Sequence, residues 1–141
     1  MSAYAAEFLK MLVPVSDLRL PPDQYLIWGS GPLAMRGLRA AADVDLVVRK
    51  VLWDRLVQTY GADGPTKNRI KLGNVEIWKD LTNLTDRIDE IISDAEIIEG
   101  FPFMKLRYTL EWKRFRNSSK DVNDMRLIKE WQTGAYPGSI L

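Results

Sequence analysis

The sequence predicts an α/β (α+β) domain, a mixed sheet with helices packed mainly on one of its faces and further helices after it. Three observations carry that expectation. Short β-rich runs at residues 25–28, 43–48, 69–72 and 75–78 alternate with stretches of helical spacing. The last two runs are separated by Gly73-Asn74, the length and composition of a hairpin turn. The 141 residues are 46% hydrophobic and 28% charged, a globular composition with enough apolar mass for one core. The expected organisation is one domain over residues 1–141, with a sheet core at 25–98, C-terminal helices at 102–131 and a loose tail at 134–141.

The elements follow in order. Residues 2–13 open with a capping serine and carry Phe8, Leu9, Leu12 and Val13 at helical spacing. Pro21-Pro22 closes that region, and Tyr25 to Trp28 forms a strand stopped by Gly29-Ser30-Gly31. Pro32 suits a first helical position, where its missing N–H costs nothing, so residues 32–38 are expected as a short helix. Residues 43–48 alternate acidic and apolar side chains before Val47-Val48, as a strand with one face on a core does. Residues 50–60 read as an amphipathic helix with Val51, Leu52, Leu56 and Val57 on its apolar face. A helix at 84–92 capped by Thr82 or Asn83, an edge strand at 95–98 and two helices at 102–116 and 119–131 complete the expectation.

Composition excludes much chemistry. The chain has no cysteine and no histidine. Thiol nucleophiles, disulfides, Ser-His-Asp triads and imidazole or thiolate zinc sites are therefore out of reach. A metal bound by these side chains must take oxygen ligands, which favours hard cations such as Mg²⁺, Mn²⁺ or Ca²⁺ and points any catalysis toward phosphate chemistry. The net charge of +1 gives no overall field for nucleic acid or lipid, but its distribution is uneven. Residues 79–100 hold two basic and seven acidic side chains, net −5, and residues 101–141 hold eight basic and four acidic, net +4. No apolar run approaches the roughly 20 residues that span a bilayer. Glu7 and Lys10 interrupt the first apolar stretch, unlike a secretory signal, so a cytoplasmic setting is expected.

The carboxylates are the candidate site. Asp43 and Asp45 are two residues apart and share one strand face. At about 6–7 Å they repel by roughly 2–3 kcal/mol at an effective dielectric near 20, a term that a divalent cation reverses. Glu76 lies on the polar side of the hairpin and supplies a third carboxylate if the strands are neighbours. Asp80, in phase with it, competes for that role. Gly29-Ser30-Gly31, where a strand hands over to a helix, reads either as a tight turn or as a phosphate seat of backbone amides and the Ser30 hydroxyl. The five tryptophans are spread over the elements, and most are expected in the core. Trp78, in phase with Glu76, is the one placed to stack on a base or acceptor.

Taken together, Leu26-Ile27-Trp28-Gly29-Ser30, a short helix, Arg39 and Asp43-Val44-Asp45-Leu46-Val47-Val48 resemble the nucleotidyltransferase superfamily of the polymerase-β type. Arg39, with Arg116 and Lys120-Asp121-Val122-Asn123-Asp124 downstream, is similar to the pattern of the AbiEii-type toxin nucleotidyltransferases and their minimal relatives. The resemblance spans residues 25–131. It departs at Ala41, where the family commonly has Thr or Ser, and these 141 residues are not expected to hold the larger helical acceptor domain of many relatives.

That resemblance implies a set of roles. The Gly29-Ser30 turn would cradle the triphosphate of an NTP substrate, and Asp43, Asp45 and Glu76 would hold Mg²⁺ or Mn²⁺. Glu76 would also take the proton of an acceptor hydroxyl, whether of a protein, an RNA or a small molecule. Lys120 would reach the triphosphate and Asp121 would orient it, while Arg39 would pair with a site carboxylate or with phosphate. Local sequence offers another reading for Asp121, a capping box with Ser118. The competing function is a catalytically silent nucleotide-binding protein of the toxin-antitoxin type, acting with a small antitoxin or regulatory partner. A nucleic-acid module built on the basic C-terminal helices has less support, because acids interrupt the basic residues.

Overall fold

The computed structural model describes residues 1–134, so the expected tail lies outside the described residues but for its first residue. The order of elements is α1 (Ala3–Met11), α2 (Val13–Leu18), β1 (Tyr25–Trp28), α3 (Gly31–Met35), β2 (Val44–Val48), α4 (Lys50–Tyr60), β3 (Arg69–Leu72), β4 (Val75–Trp78), α5 (Ile88–Ser93), β5 (Glu96–Ile98), β6 (Phe101–Phe103), α6 (Leu106–Arg116) and α7 (Ser119–Gln132). Six strands form one mixed sheet in the order β3-β4-β2-β1-β6-β5. The strands β1, β2 and β4 are neighbours; β2 runs antiparallel to β1 and parallel to β4. The β3–β4 hairpin turns at Gly73-Asn74, with Leu72 opposite Val75 and Arg69 opposite Trp78.

Helices cover both faces of the sheet, which corrects the expectation that they pack mainly on one face. The physical reason lies in β1, whose four residues are all buried. Tyr25 and Ile27 join Val44, Leu46 and Val48 of β2 and pack on Phe8, Leu12 and Val15 of α1 and α2 and on Leu52, Trp53 and Leu56 of α4. Leu26 and Trp28 point the other way, join Val47, and pack on Leu84, Ile91, Ile92, Tyr108 and Trp112. Each fully buried Leu or Ile contributes about 1.5–3 kcal/mol relative to exposure, so the second face is a core in its own right. A third cluster, with Leu33, Leu106, Leu110 and Ile128, ties α3 to the α6–α7 pair.

Several boundaries shift for identifiable reasons. The opening helix divides after Met11, and Pro14 sits in the first turn of α2, where no N–H is needed. The expected helix at 84–92 begins as a 3₁₀ turn, Thr82–Arg87, with no side-chain cap. Its entry is held instead by Thr85 Oγ1, which accepts from the Leu81 amide at 2.9 Å. Residues 101–103 are a strand, not the start of a helix. Glu99 (φ 52°) and Gly100 (φ 81°) both adopt left-handed backbone and turn β5 into β6 as a two-residue hairpin. On the apolar face of α4, Trp53 replaces Val51, which is 70% exposed.

The acidic and basic segments are joined by ion pairs. Asp94 of the acidic segment accepts from Lys105, Arg107 and Tyr108, which carry its pKa down to about 2, and Arg87 bonds Glu111 at 2.7 Å. The acidic and basic segments thus partner one another across the start of α6. Among the described residues no helix is long and apolar enough to cross a membrane.

Candidate functional site

The second sheet face ends in a cavity of about 420 Å³ between β1, β2, β4 and α6, lined by Trp28, Asp45, Glu76, Trp78, Trp112 and Arg116 with Asn68, Asp80 and Thr82 at its edges. Its position follows from strand alternation. Val44, Leu46 and Val48 fill the first core, so Asp45 and Val47 face the other side. Pairing does the rest: Asp45 is opposite Trp28 on β1 and opposite Glu76 on β4.

Asp45 is half-buried and under electrostatic load. Burial pushes its carboxyl up to about 6, the charges of Glu76 and Asp43 add to the rise, and the Trp78 indole N–H, donating to Oδ1 at 3.1 Å, opposes it. Above that turn sits Gly29, with φ 68°; a Cβ there would collide with Oδ2 of Asp45 and lie 3.2 Å from its Cγ. The β1–α3 turn therefore approaches the carboxylate as closely as only glycine permits. Ser30 follows at the start of α3, and its side chain makes no capping bond.

The other expected carboxylates are placed differently. Glu76 is near Asp45 and is braced by Arg69, whose Nη1 lies 3.4 Å from Oε1. Asp43 is exposed and lines a separate recess of about 130 Å³ that it shares with Glu76. Asp80, the competing third acid, lines the main cavity, so both candidates border it. Among the described residues no three carboxylates converge into a ready metal cluster. What fits a hard cation is the donor chemistry: Asp45 and Glu76 are adjacent oxygen donors with an excess of negative charge, raised further by Asp43.

The C-terminal residues build something the sequence reading did not anticipate. Arg39 grips Asp124 with two bonds, Nε to Oδ1 at 2.6 Å and Nη2 to Oδ2 at 2.8 Å, and touches neither Asp45 nor Glu76. Asp121 closes the capping box with Ser118 and accepts two bonds from Arg116, at 2.8 and 2.7 Å. It does not bond Lys120, which is exposed and does not line the cavity. Between the two aspartates lies Lys113, 1% exposed, with Nζ 2.9 Å from Asp124 and 3.5 Å from Asp121.

Both carboxylates are fully buried, and the network holds them ionised. Arg116 heads the interactions that carry Asp121 far below the usual carboxylate range; burial pushes Asp124 up, but Arg39 and Lys113 overcome it. Burial lowers the Lys113 ammonium despite its two partners. The one member that reaches the cavity is Arg116, half-exposed, with its guanidinium 4.5 Å from the Trp112 ring centroid.

Tryptophan gathers here as well. Trp28 meets Trp112 edge-on at 4.9 Å and Trp78 at 6.4 Å, so three of the five indoles share one wall. Signals for some of this exist in the sequence. Asp121 and Asp124 are three apart and share a face of α7, and the two-residue hairpin turn fixes Arg69 opposite Trp78. Nothing local marks Lys113 as buried.

Compared with known proteins, the chain matches no protein-family model, no curated protein and no solved structure.

Proposed function

We propose that the chain is a metal-dependent nucleotidyltransferase that moves a nucleoside monophosphate from an NTP to a hydroxyl acceptor and releases pyrophosphate. The observation that supports this most is the Asp45–Glu76 pair on adjacent strands beneath the close approach of Gly29, at the floor of a cavity large enough for a nucleotide. The sequence pattern from residue 26 to 48 adds to it.

In this reading Asp45 and Glu76 would hold Mg²⁺ or Mn²⁺, with Asp43 at the outer side. The cation supplies charge neutralisation of the triphosphate and a more acidic acceptor hydroxyl. Gly29 lets the β1–α3 turn close on the Asp45 carboxylate, and Arg116, fixed by Asp121 and Trp112, faces the cavity as a positioned cation. Glu76 accepts the acceptor's proton, the acceptor oxygen bonds to the α-phosphorus, and the bond from that phosphorus to the pyrophosphate oxygen breaks. Arg39 and Asp121 act indirectly, by holding α7 and Arg116. Lys120, on the exposed first turn of α7, has no assigned contact.

A second reading is favoured by a specific observation. Asp43 opens into its own recess, and among the described residues no three carboxylates gather as a metal cluster. A protein that binds nucleotide without turnover, acting with a small antitoxin or other regulator in the cytoplasm, would tolerate that. Incubation with each α-labelled NTP, Mg²⁺ or Mn²⁺ and cell extract separates the two. Label transferred to protein, RNA or a small molecule supports the enzyme; NTP-dependent thermal stabilisation with no transfer supports the binder. Absence of both overturns the nucleotide reading.

A further inference from the structure

We propose that the Trp78 side of the cavity is a nucleobase subsite, with Trp78 as its platform and the Asn68 carboxamide as the group that reads the base edge. This rests on the nucleotide reading above and assigns the part of the nucleotide that the carboxylates do not address.

Trp78 is fixed before any ligand arrives. Its indole N–H donates to Asp45 at 3.1 Å, Trp28 packs edge-on against it with 6.4 Å between centroids, and the Arg69 guanidinium lies 6.0 Å from its centre. Trp28 and Trp112, 7% and 5% exposed, form the wall behind, whereas Trp78 keeps part of its surface open. A ring held on three sides loses little freedom when a flat partner packs on it. Stacking against aromatic side chains tolerates any base, because every base has a π-face.

Asn68 provides the polar counterpart. Its backbone carbonyl accepts from the Lys79 amide at 3.0 Å, which pins the residue beside the end of β4. Asn68 borders the cavity, and its carboxamide, with Oδ1 beside Gly64, makes no hydrogen bond among the described residues. A carboxamide presents a donor and an acceptor side by side, the complement of the paired acceptor and donor on a base edge.

The alternative occupant, an organic cation drawn by three indoles and three carboxylates, fits less well. The Trp112 ring behind Trp78 already carries the protein's own cations, Lys113 and Arg116, each 4.5 Å from its centroid. A molecule with a polyanionic end for the cation-bearing carboxylates and a flat heteroaromatic end for the indoles is a nucleotide.

The test titrates the intact chain and its Asn68→Ala variant, in Mg²⁺, with each of the four NTPs and with inorganic tripolyphosphate, following tryptophan fluorescence. The expected result is that the preferred NTP binds at least about tenfold tighter than tripolyphosphate. Asn68→Ala should weaken that NTP by about three- to tenfold and narrow the spread among bases, with tripolyphosphate changed less than twofold. Tripolyphosphate binding as tightly as every NTP, or an unchanged NTP affinity in the variant, overturns the subsite and leaves the phosphate end standing. Binding of neither probe overturns the nucleotide reading and the subsite together.

Discussion

Asp45 on β2 and Glu76 on β4 occupy paired positions of neighbouring parallel strands, and the charge of Glu76 adds to the burial that raises the pKa of Asp45. A pair built this way is costly to the folded chain until a proton or a cation joins it.

The pH dependence follows with a definite sign. The folded-state pKa of Asp45, about 6, lies above its unfolded value of about 4. The folded state therefore binds the extra proton, and the penalty is present above pH 6 and relieved as pH falls toward 4. Asp45→Asn, which keeps the acceptor for Trp78, should stabilise the metal-free protein at pH 8 by on the order of 2 kcal/mol. The gap should close by pH 4. Urea unfolding of both proteins at several pH values checks this; equal stability at pH 8 contradicts the charge load assigned to Asp45.

Cation binding should show the mirror image. Mg²⁺ or Mn²⁺ must displace the Asp45 proton, so affinity measured by calorimetry should rise through pH 6 and level off above pH 7. A pH-independent affinity would place the cation elsewhere.

Gly29→Ala tests the close approach of the β1–α3 turn. The positive φ alone costs about 1–2 kcal/mol in an L-residue, and the added methyl must displace the Asp45 carboxylate. Loss of cation binding beyond the loss of stability is expected. A variant that folds with unchanged affinity would show that the turn and the carboxylate are independent.

Glu76→Gln removes the proposed base and one of the two proposed cation ligands together. Loss of a general base lowers rate by about 10²–10⁴, so kcat should collapse, and the Mg²⁺-dependent part of nucleotide affinity should weaken with it. If transfer is found and persists in this variant but disappears in Asp80→Asn, the acid is Asp80 and the roles on this side of the sheet change hands.

Asp124→Ala addresses the buried network. It leaves Lys113 without its nearest counter-ion and Arg39 without both bonds, and removing one partner of a buried pair typically costs about 3–5 kcal/mol. The readout is the unfolding midpoint. A loss below 1 kcal/mol would mean that water replaces the carboxylate and that the network is not closed.

The sheet was legible because its signals are local. Gly73-Asn74 between two β-rich runs fixes a hairpin, and the alternation through Asp43 to Val48 fixes which side Asp45 takes. The helices α6 and α7 were legible as well, but the buried network between them was not, because its decisive residues are charged. Lys113, Asp121 and Asp124 look like solvated surface in a charged helical stretch, and their burial depends on meeting one another across two helices and Arg39 across 85 positions. The second covered face was hidden for a related reason: Leu26, Trp28 and Val47 find their partners in α5 and α6, far along the chain. Phe101 to Phe103 misled because Pro102 suits both a helix start and a strand position that needs no N–H.

The grip of Arg39 on Asp124 bears on when, and not only how, the site takes shape. The strands that carry Asp45 and Glu76 end at Trp78, but the clasp on the loop before them waits for residue 124. Contacts of such long sequence separation form late, after the entropy of closing the intervening loop has been met. During synthesis the carboxylate pair would stand open to water on a half-covered sheet until α6 and α7 emerge and dock. A chain cut before α7 would thus retain every strand of its sheet and lack the closure that aims Arg116, a nascent form with the floor of a site and no roof.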